Sequence, residues 1–285
     1  MDDSCNECIK GSIHSGLPKG SEENIHGLNT YVIGNRTNPR AIIVVYSDIF
    51  GLGLPNNKLV ADSYAASGEY LVYLPDFFHG DPVSLKIADL LLPVDEKALG
   101  TFSKYTGILA SAPNFVLWKI RHKAAETDRE CMEFLEKLRR DTGVLKGKKI
   151  GMVGMCWGGR YAIRAGLESK MIELEDGLKV PLIGAAVALH PSNLVIGEDF
   201  EKLFAPVSYG WGKEDIAVSY KSKGQVEAIH ERERKEGRKV PEMEHKTYEP
   251  GRHGFSVRGN PDDPAERKIL EDTVTQVLDW FRKWL

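Results

Sequence analysis

The sequence predicts an α/β fold: a mainly parallel central sheet covered by helices on both faces. Three observations carry that expectation. Short β-branched runs alternate with helix-period segments from residue 41 to the C-terminus, as a parallel sheet with crossover helices requires. The runs are apolar at successive rather than alternate positions, as strands buried on both faces must be. The 285 residues are 42% hydrophobic and 28% charged, a globular balance without disordered or fibrous bias.

Residues 1–26 are polar and read as an arm over the surface. Residues 27–285 read as one domain, because no repeat, low-complexity segment or linker divides them. Leu28–Ile33 is a short strand, and Ala41–Ser47 (A-I-I-V-V-Y-S) a central one. A Gly-rich loop, Asp48–Pro55, leads to a helix over Asn57–Ser67, and Tyr70–Leu74 is the next strand. The stretch Phe77–Pro113 is irregular, with a short amphipathic piece at Leu85–Leu92. Val116–Arg140 has one apolar face through Ile120, Ala124, Thr127, Cys131, Phe134, Leu135 and Leu138, which predicts a long helix. Then come strand Lys149–Val153, helix Trp157–Leu167, strands Leu182–Leu189 and Pro206–Gly210, helix Ser219–Lys235, strand His245–Tyr248 and helix Pro264–Trp284. About seven irregularly spaced strands disfavour the competing (β/α)8 barrel.

The net charge of −3 gives no electrostatic case for nucleic acid or an anionic membrane as partner. No apolar run approaches the ~18 residues of a membrane span. The acidic start, M-D-D-S, is not a secretory leader, so a cytoplasmic, reducing compartment is expected. Four cysteines make no disulfide scaffold. Cys5 and Cys8 form a C-x-x-C, but no second ligand pair completes a zinc site, and no strand-to-helix junction surrounds a redox motif. No metal and no organic cofactor is expected.

The chemistry centres on Gly154-Met155-Cys156-Trp157-Gly158-Gly159, which follows a strand and opens a helix. This is the nucleophile-elbow spacing with Cys in the place of Ser. The glycines let neighbouring backbones approach a strained turn, and the helix N-terminus favours a thiolate and a developing oxyanion. A buried core cysteine is the blander reading. An elbow needs an acid and then a histidine, in that chain order. Asp215 follows the Pro206–Gly210 strand and His253 follows His245–Tyr248, both at carboxyl ends of strands where open α/β sheets gather ligands. Glu214 rivals Asp215, whose plainer role is a helix N-cap. His190 rivals His253. The loop after Ala41–Ser47 should donate a backbone amide to the oxyanion hole, which assigns the amides of Ile49 and Trp157. Asp48 would then lie beside the nucleophile, to hold its proton or orient the site. Phe77, Phe78 and His79 follow a strand end and are expected to line a substrate pocket, with Phe50 and Phe78 as substrate-binding residues.

Together D-I-F-G, G-M-C-W-G-G, the Asp after G-W-G-K-E and H-G-F-S-V-R-G resemble the dienelactone hydrolases (carboxymethylenebutenolidases), from about Gly27 to the C-terminus. The resemblance implies an α/β-hydrolase fold, a Cys156–Asp215–His253 triad and opening of an enol lactone or small ester through a thiol ester. It implies that Arg258 binds a substrate carboxylate. It also puts Asp48 where the family motif has a Glu, one methylene longer, that pairs with the resting cysteine. The arm bearing Cys5 and Cys8 lies outside the bacterial pattern and is similar to eukaryotic relatives. The alternatives are a thioesterase or acyltransferase on the same triad, a non-catalytic ligand-binding relative, and a redox sensor in which Cys156 is oxidised. Monomer and homodimer both remain open.

Overall fold

A computed structural model describes residues 14–85, 113–141, 145–174 and 177–285. In chain order the elements are β1 (Ser21–Ile25), β2 (Leu28–Gly34), β3 (Ala41–Tyr46), α1 (Pro55–Ala65), β4 (Tyr70–Pro75), α2 (Ala124–Arg139), β5 (Ile150–Met155) and α3 (Trp157–Ala165). They continue with β6 (Ile172–Glu173), β7 (Lys179–Val180), β8 (Ala185–Leu189), β9 (Val207–Gly212), α4 (Lys221–Lys235), β10 (Met243–Tyr248) and α5 (Pro264–Trp284). Cys5, Cys8 and the amphipathic piece beyond Leu85 lie outside the described residues.

Eight strands form one open sheet in the order β1-β2-β4-β3-β5-β8-β9-β10. The pairings from β4 to β10 are parallel, and β2 runs antiparallel to both β1 and β4. An open sheet with two edges excludes the barrel. Every residue of β3, β4, β5, β8 and β9 is buried, which is why these strands read as continuous apolar runs. The edges are polar instead: S-E-E-N-I at β1 and M-E-H-K-T-Y at β10 discourage pairing with another chain.

Glycines in β5 show that both faces are covered. A Cβ on Gly151 would meet Phe281 and Leu285, at the end of α5, and one on Gly154 would meet Gly158 and Ala162 of α3. The two positions are three apart on a strand, so they face opposite ways. α1 packs with α5, and α2 with α3. Pro55 opens α1, and Asp263 caps α5 by accepting from the amides of Ala265 and Glu266.

Three features depart from the expected layout. The end of the expected arm is β1, a sheet strand. The expected helix Val116–Arg140 is interrupted at His122 and Lys123, with residues 113–121 helical before α2. Ile120 lies on the outside of the first piece, 56% exposed, whereas Cys131, Phe134, Leu135 and Leu138 of the second are buried. The third is the small β6–β7 hairpin, which no apolar run announced.

The chain steps from β3 outward to β4, then returns to place β5 on the other side of β3. Loops leaving β3 and β5 therefore diverge at their carboxyl ends and leave a crevice between them. The loop of Asp48 and the elbow of Cys156 meet at that point.

Candidate active site

Cys156 has φ +53° and ψ −116°, a strained conformation for a residue with a side chain. Two glycines let the elbow close. A Cβ on Gly158 would lie 2.2 Å from the Tyr46 carbonyl oxygen, and one on Gly154 2.2 Å from the Gly158 oxygen. α3 therefore presses on the end of β3, and the Gly158 amide donates to the Ser47 oxygen at 3.2 Å. This contact holds the start of the Asp48 loop against the elbow. Trp157 is the first residue of α3, so its amide has no partner in the helix. The Ile49 amide has no hydrogen-bond partner among the described residues. Among the described residues, both expected oxyanion amides are thus uncommitted.

The loops after β9 and β10 are equally close, because a Cβ on Gly212 would overlap the Gly251 oxygen. The Lys213 amide donates to the Tyr248 oxygen at 3.0 Å, and the Glu214 amide to the Pro250 oxygen at 2.9 Å. That docking delivers Asp215 to His253, whose Nδ1 lies 2.9 Å from each carboxylate oxygen. His253 Nε2 lies 3.0 Å from Cys156 Sγ. The three groups are buried, with Cys156 only 4% exposed. Burial works against a charged His253 imidazole, but the Cys156 sulfur and the Asp215 carboxylate on its two sides outweigh burial and push it up to about 10. With Nδ1 donating to Asp215, Nε2 is the nitrogen able to exchange a proton with the sulfur.

Asp215 also serves its blander role. Oδ1 accepts from the amides of Ala217 at 2.8 Å and Val218 at 3.1 Å, which orients the carboxylate. Glu214 points elsewhere: its side chain is 57% exposed and pairs with Arg252. His190 is buried behind the elbow, with Nδ1 3.0 Å from the Cys156 backbone nitrogen. The structure thus brings His253, and not His190, to the sulfur.

Asp48 is buried beneath the same crevice. Its Oδ1 accepts from the Phe50 amide at 3.1 Å and from Asn57 Nδ2 at 2.8 Å. Burial raises its pKa, opposed by those two donors, Arg258 and His253. The described contacts of Cys156 Sγ are His253 and the Ser192 hydroxyl, at 3.6 Å, so the sulfur already faces the imidazole and Asp48 braces the loop that carries Ile49. Arg258 is 2% exposed, with its guanidinium 5.4 Å from the centre of the Phe50 ring. Phe78 is buried between Trp157 and Trp118, at ring distances of 5.0 and 5.4 Å.

Several groups escaped sequence reasoning. Asn57 lies in α1, as its helical spacing predicts, but its side-chain amide also donates to the Gly51 oxygen at 2.9 Å and so shapes the loop. The signal available was Asn-Asn after a helix-opening Pro, polar residues on what is a buried face. Ser192 gave no signal. Behind α3, Asp199 is fully buried and pairs with Arg160 at 3.0 Å and Arg164 at 2.8 Å, and Arg164 also pairs with Asp128. Asp199 Oδ2 accepts the Val195 amide at 2.7 Å, anchoring the loop that begins at Ser192. No helix among the described residues is long and apolar enough to cross a membrane.

A sequence model of the dienelactone hydrolase family matches residues 28–285. Hydrolase pyvD of Aspergillus violaceofuscus is 29% identical over 283 residues, covering 98% of this chain and 96% of that protein. The human carboxymethylenebutenolidase homolog is 26% identical over 267 residues, covering 93% and 91%. Among solved structures, a dienelactone hydrolase from Anabaena variabilis superposes with a TM-score of 0.58 at 13% identity, over 94% of this chain and 99% of the other. A Thermogutta terrifontis esterase with bound butyrate superposes with a TM-score of 0.55 at 14% identity, over 92% and 94%.

Proposed function

Since the chain belongs to the dienelactone hydrolase family and is a carboxylic ester hydrolase, we propose that Cys156, His253 and Asp215 are its catalytic triad. Its substrates in this reading are small esters or enol lactones, handled by residues 27–285 as one catalytic domain. The observation that carries the proposal is the placement of the His253 ring, with one nitrogen 3.0 Å from Cys156 Sγ and the other 2.9 Å from Asp215.

His253 Nε2 takes the Cys156 thiol proton, while Asp215 keeps Nδ1 protonated and steadies the imidazolium. The thiolate forms a bond to the acyl carbon, and the carbonyl oxygen gathers charge against the Ile49 and Trp157 amides. The ring C–O bond of a lactone, or the alkoxy C–O bond of an ester, breaks as the leaving oxygen takes the proton from His253. Water then gives a proton to His253 and attacks the thiol ester, releasing the acid and restoring the thiol. Asp48 and Asn57 hold the Ile49 loop in place, and Arg258, beside Phe50, binds the carboxylate of a substrate that carries one. Phe50 and Phe78 form the apolar wall behind it. The uncommitted thiol requires reducing surroundings, which supports a cytoplasmic site of action.

Pre-steady-state turnover of 4-nitrophenyl acetate by the reduced protein, beside Cys156→Ala, tests this reading. A burst near one equivalent, followed by turnover and absent from the variant, is the expected result. Full activity in Cys156→Ala would refute the nucleophile assignment.

A further inference from the structure

His190 directly follows β8 and fills the space between the elbow and the His253 turn. Its backbone has φ +38°, and its amide donates to the Gly210 oxygen at 2.8 Å. The residue is 1% exposed. Nδ1 lies 3.0 Å from the Cys156 amide nitrogen, and Nε2 lies 2.7 Å from Ser256 Oγ. The Cys156 amide is a donor, so Nδ1 must accept, and the ring proton sits on Nε2 and is given to Ser256. The same amide also reaches the Leu189 oxygen at 3.1 Å. The rings of Phe255 and His253 stand edge-on to His190, with centroids 4.9 and 5.2 Å away. Burial holds this histidine well below its ordinary range, and the facing charges of His253 and Arg258 push in the same direction.

We infer that His190 is a positioning residue for the Cys156–His253 pair, a neutral imidazole that clamps the nucleophile backbone to the Ser256 hydroxyl on the turn of His253. This rests on the reading of Cys156 and His253 as the reacting groups. Those two residues come from loops that end different strands, β5 and β10. Their 3.0 Å contact therefore depends on how two separate loops are held. His190 is bonded to both. One end takes the amide of a residue in a strained conformation, which needs over-determined surroundings to persist. The other end orders Ser256, three positions after His253. Protonation of Nδ1 would turn an acceptor into a donor aimed at another donor, so the clamp works only with the ring neutral.

The test uses three variants of the full chain. His190→Phe keeps a ring and removes both hydrogen bonds. His190→Asn keeps an acceptor near the Nδ1 position, and His190→Gln offers a donor near the Nε2 position. Two rates are read: alkylation of Cys156 by iodoacetamide as a function of pH, and the acylation burst with 4-nitrophenyl acetate. Melting temperatures are taken alongside. The expected result is a loss of about ten- to a hundredfold in both rates for His190→Phe, with KM within about threefold of wild type. His190→Asn and His190→Gln fall between. A merely structural role would lower the melting temperature and leave the rates of the folded protein unchanged, which overturns the inference. If His190→Phe does not fold, wild-type rates in both amide variants overturn it just as well. A burst that survives in Cys156→Ala defeats the triad reading and this inference together. An intact, Cys156-dependent burst that ignores position 190 defeats this inference alone.

Discussion

Replacing Gly158 with alanine would drive the elbow off the sheet. The added Cβ would sit 2.2 Å from the Tyr46 carbonyl oxygen and 2.7 Å from that of Ser47, whereas real Cβ contacts stay at or beyond 3.0 Å. A shift of about 0.8 Å is the least that relieves the clash. The obstructing atoms are backbone, at the end of a central strand fixed by neighbours on both sides, so α3 has to move. It takes the Trp157 amide with it and breaks the Gly158–Ser47 hydrogen bond. Overpacking of this kind costs about 1–3 kcal/mol, which for a chain of this size lowers the melting temperature by roughly 2–5 °C. A displacement near 1 Å between nucleophile and oxyanion donors costs on the order of a hundredfold in rate. Stopped-flow acylation with 4-nitrophenyl acetate and a thermal melt read the two effects separately. Gly224→Ala is the control: its Cβ meets nothing within 4 Å, and α4 gains the helix propensity of alanine. Wild-type acylation and melting in Gly158→Ala would refute the claim that backbone contact with β3 positions the elbow.

Two further outcomes follow from the same geometry. Asp215→Asn preserves an oxygen for the Ala217 and Val218 amides but no longer holds Nδ1–H, so kcat should fall by about 10³–10⁴ with little change in melting temperature. Acid should destabilise the fold through its buried histidines. Burial holds His245 down at about 4, and Trp211 Nε1 donates to its Nδ1 at 3.0 Å. His14, His190 and His230 are also lowered by burial. The unfolded chain binds these protons more readily, so this stability is present above about pH 6.5 and drains away as pH falls through about 4. Melting curves should show the decline, and His245→Gln, which still offers Trp211 an acceptor, should flatten it.

The central strands were legible because burial on both faces leaves a continuous apolar run. β1 was not, because an edge strand facing water carries S-E-E-N-I, which has no such run. The interruption at His122–Lys123 was hidden by an apolar spacing that continues across it, with the outer residues Val116, Leu117 and Ile120 left exposed. The spacing around Cys156, and the order of Asp215 and His253 after it, were readable because each residue is set by its own strand end. The partners of Asp48 and His190 were not. Asn57 reaches Asp48 from a helix, and the two ends of His190 meet residues 34 and 66 positions away. Such pairings are properties of the packed loops and leave no local pattern.

The charged cluster behind α3 constrains how this protein can change. Asp199 neutralises Arg160 and Arg164 at a position with no access to water, and Asp128 pairs with both Arg164 and Lys170. Loss of any one carboxylate strands a cation, which is far more damaging than replacing the whole group with apolar side chains. Single substitutions here meet a barrier that a coordinated exchange does not. The back of the elbow helix is therefore a place where sequence drift moves in blocks or not at all.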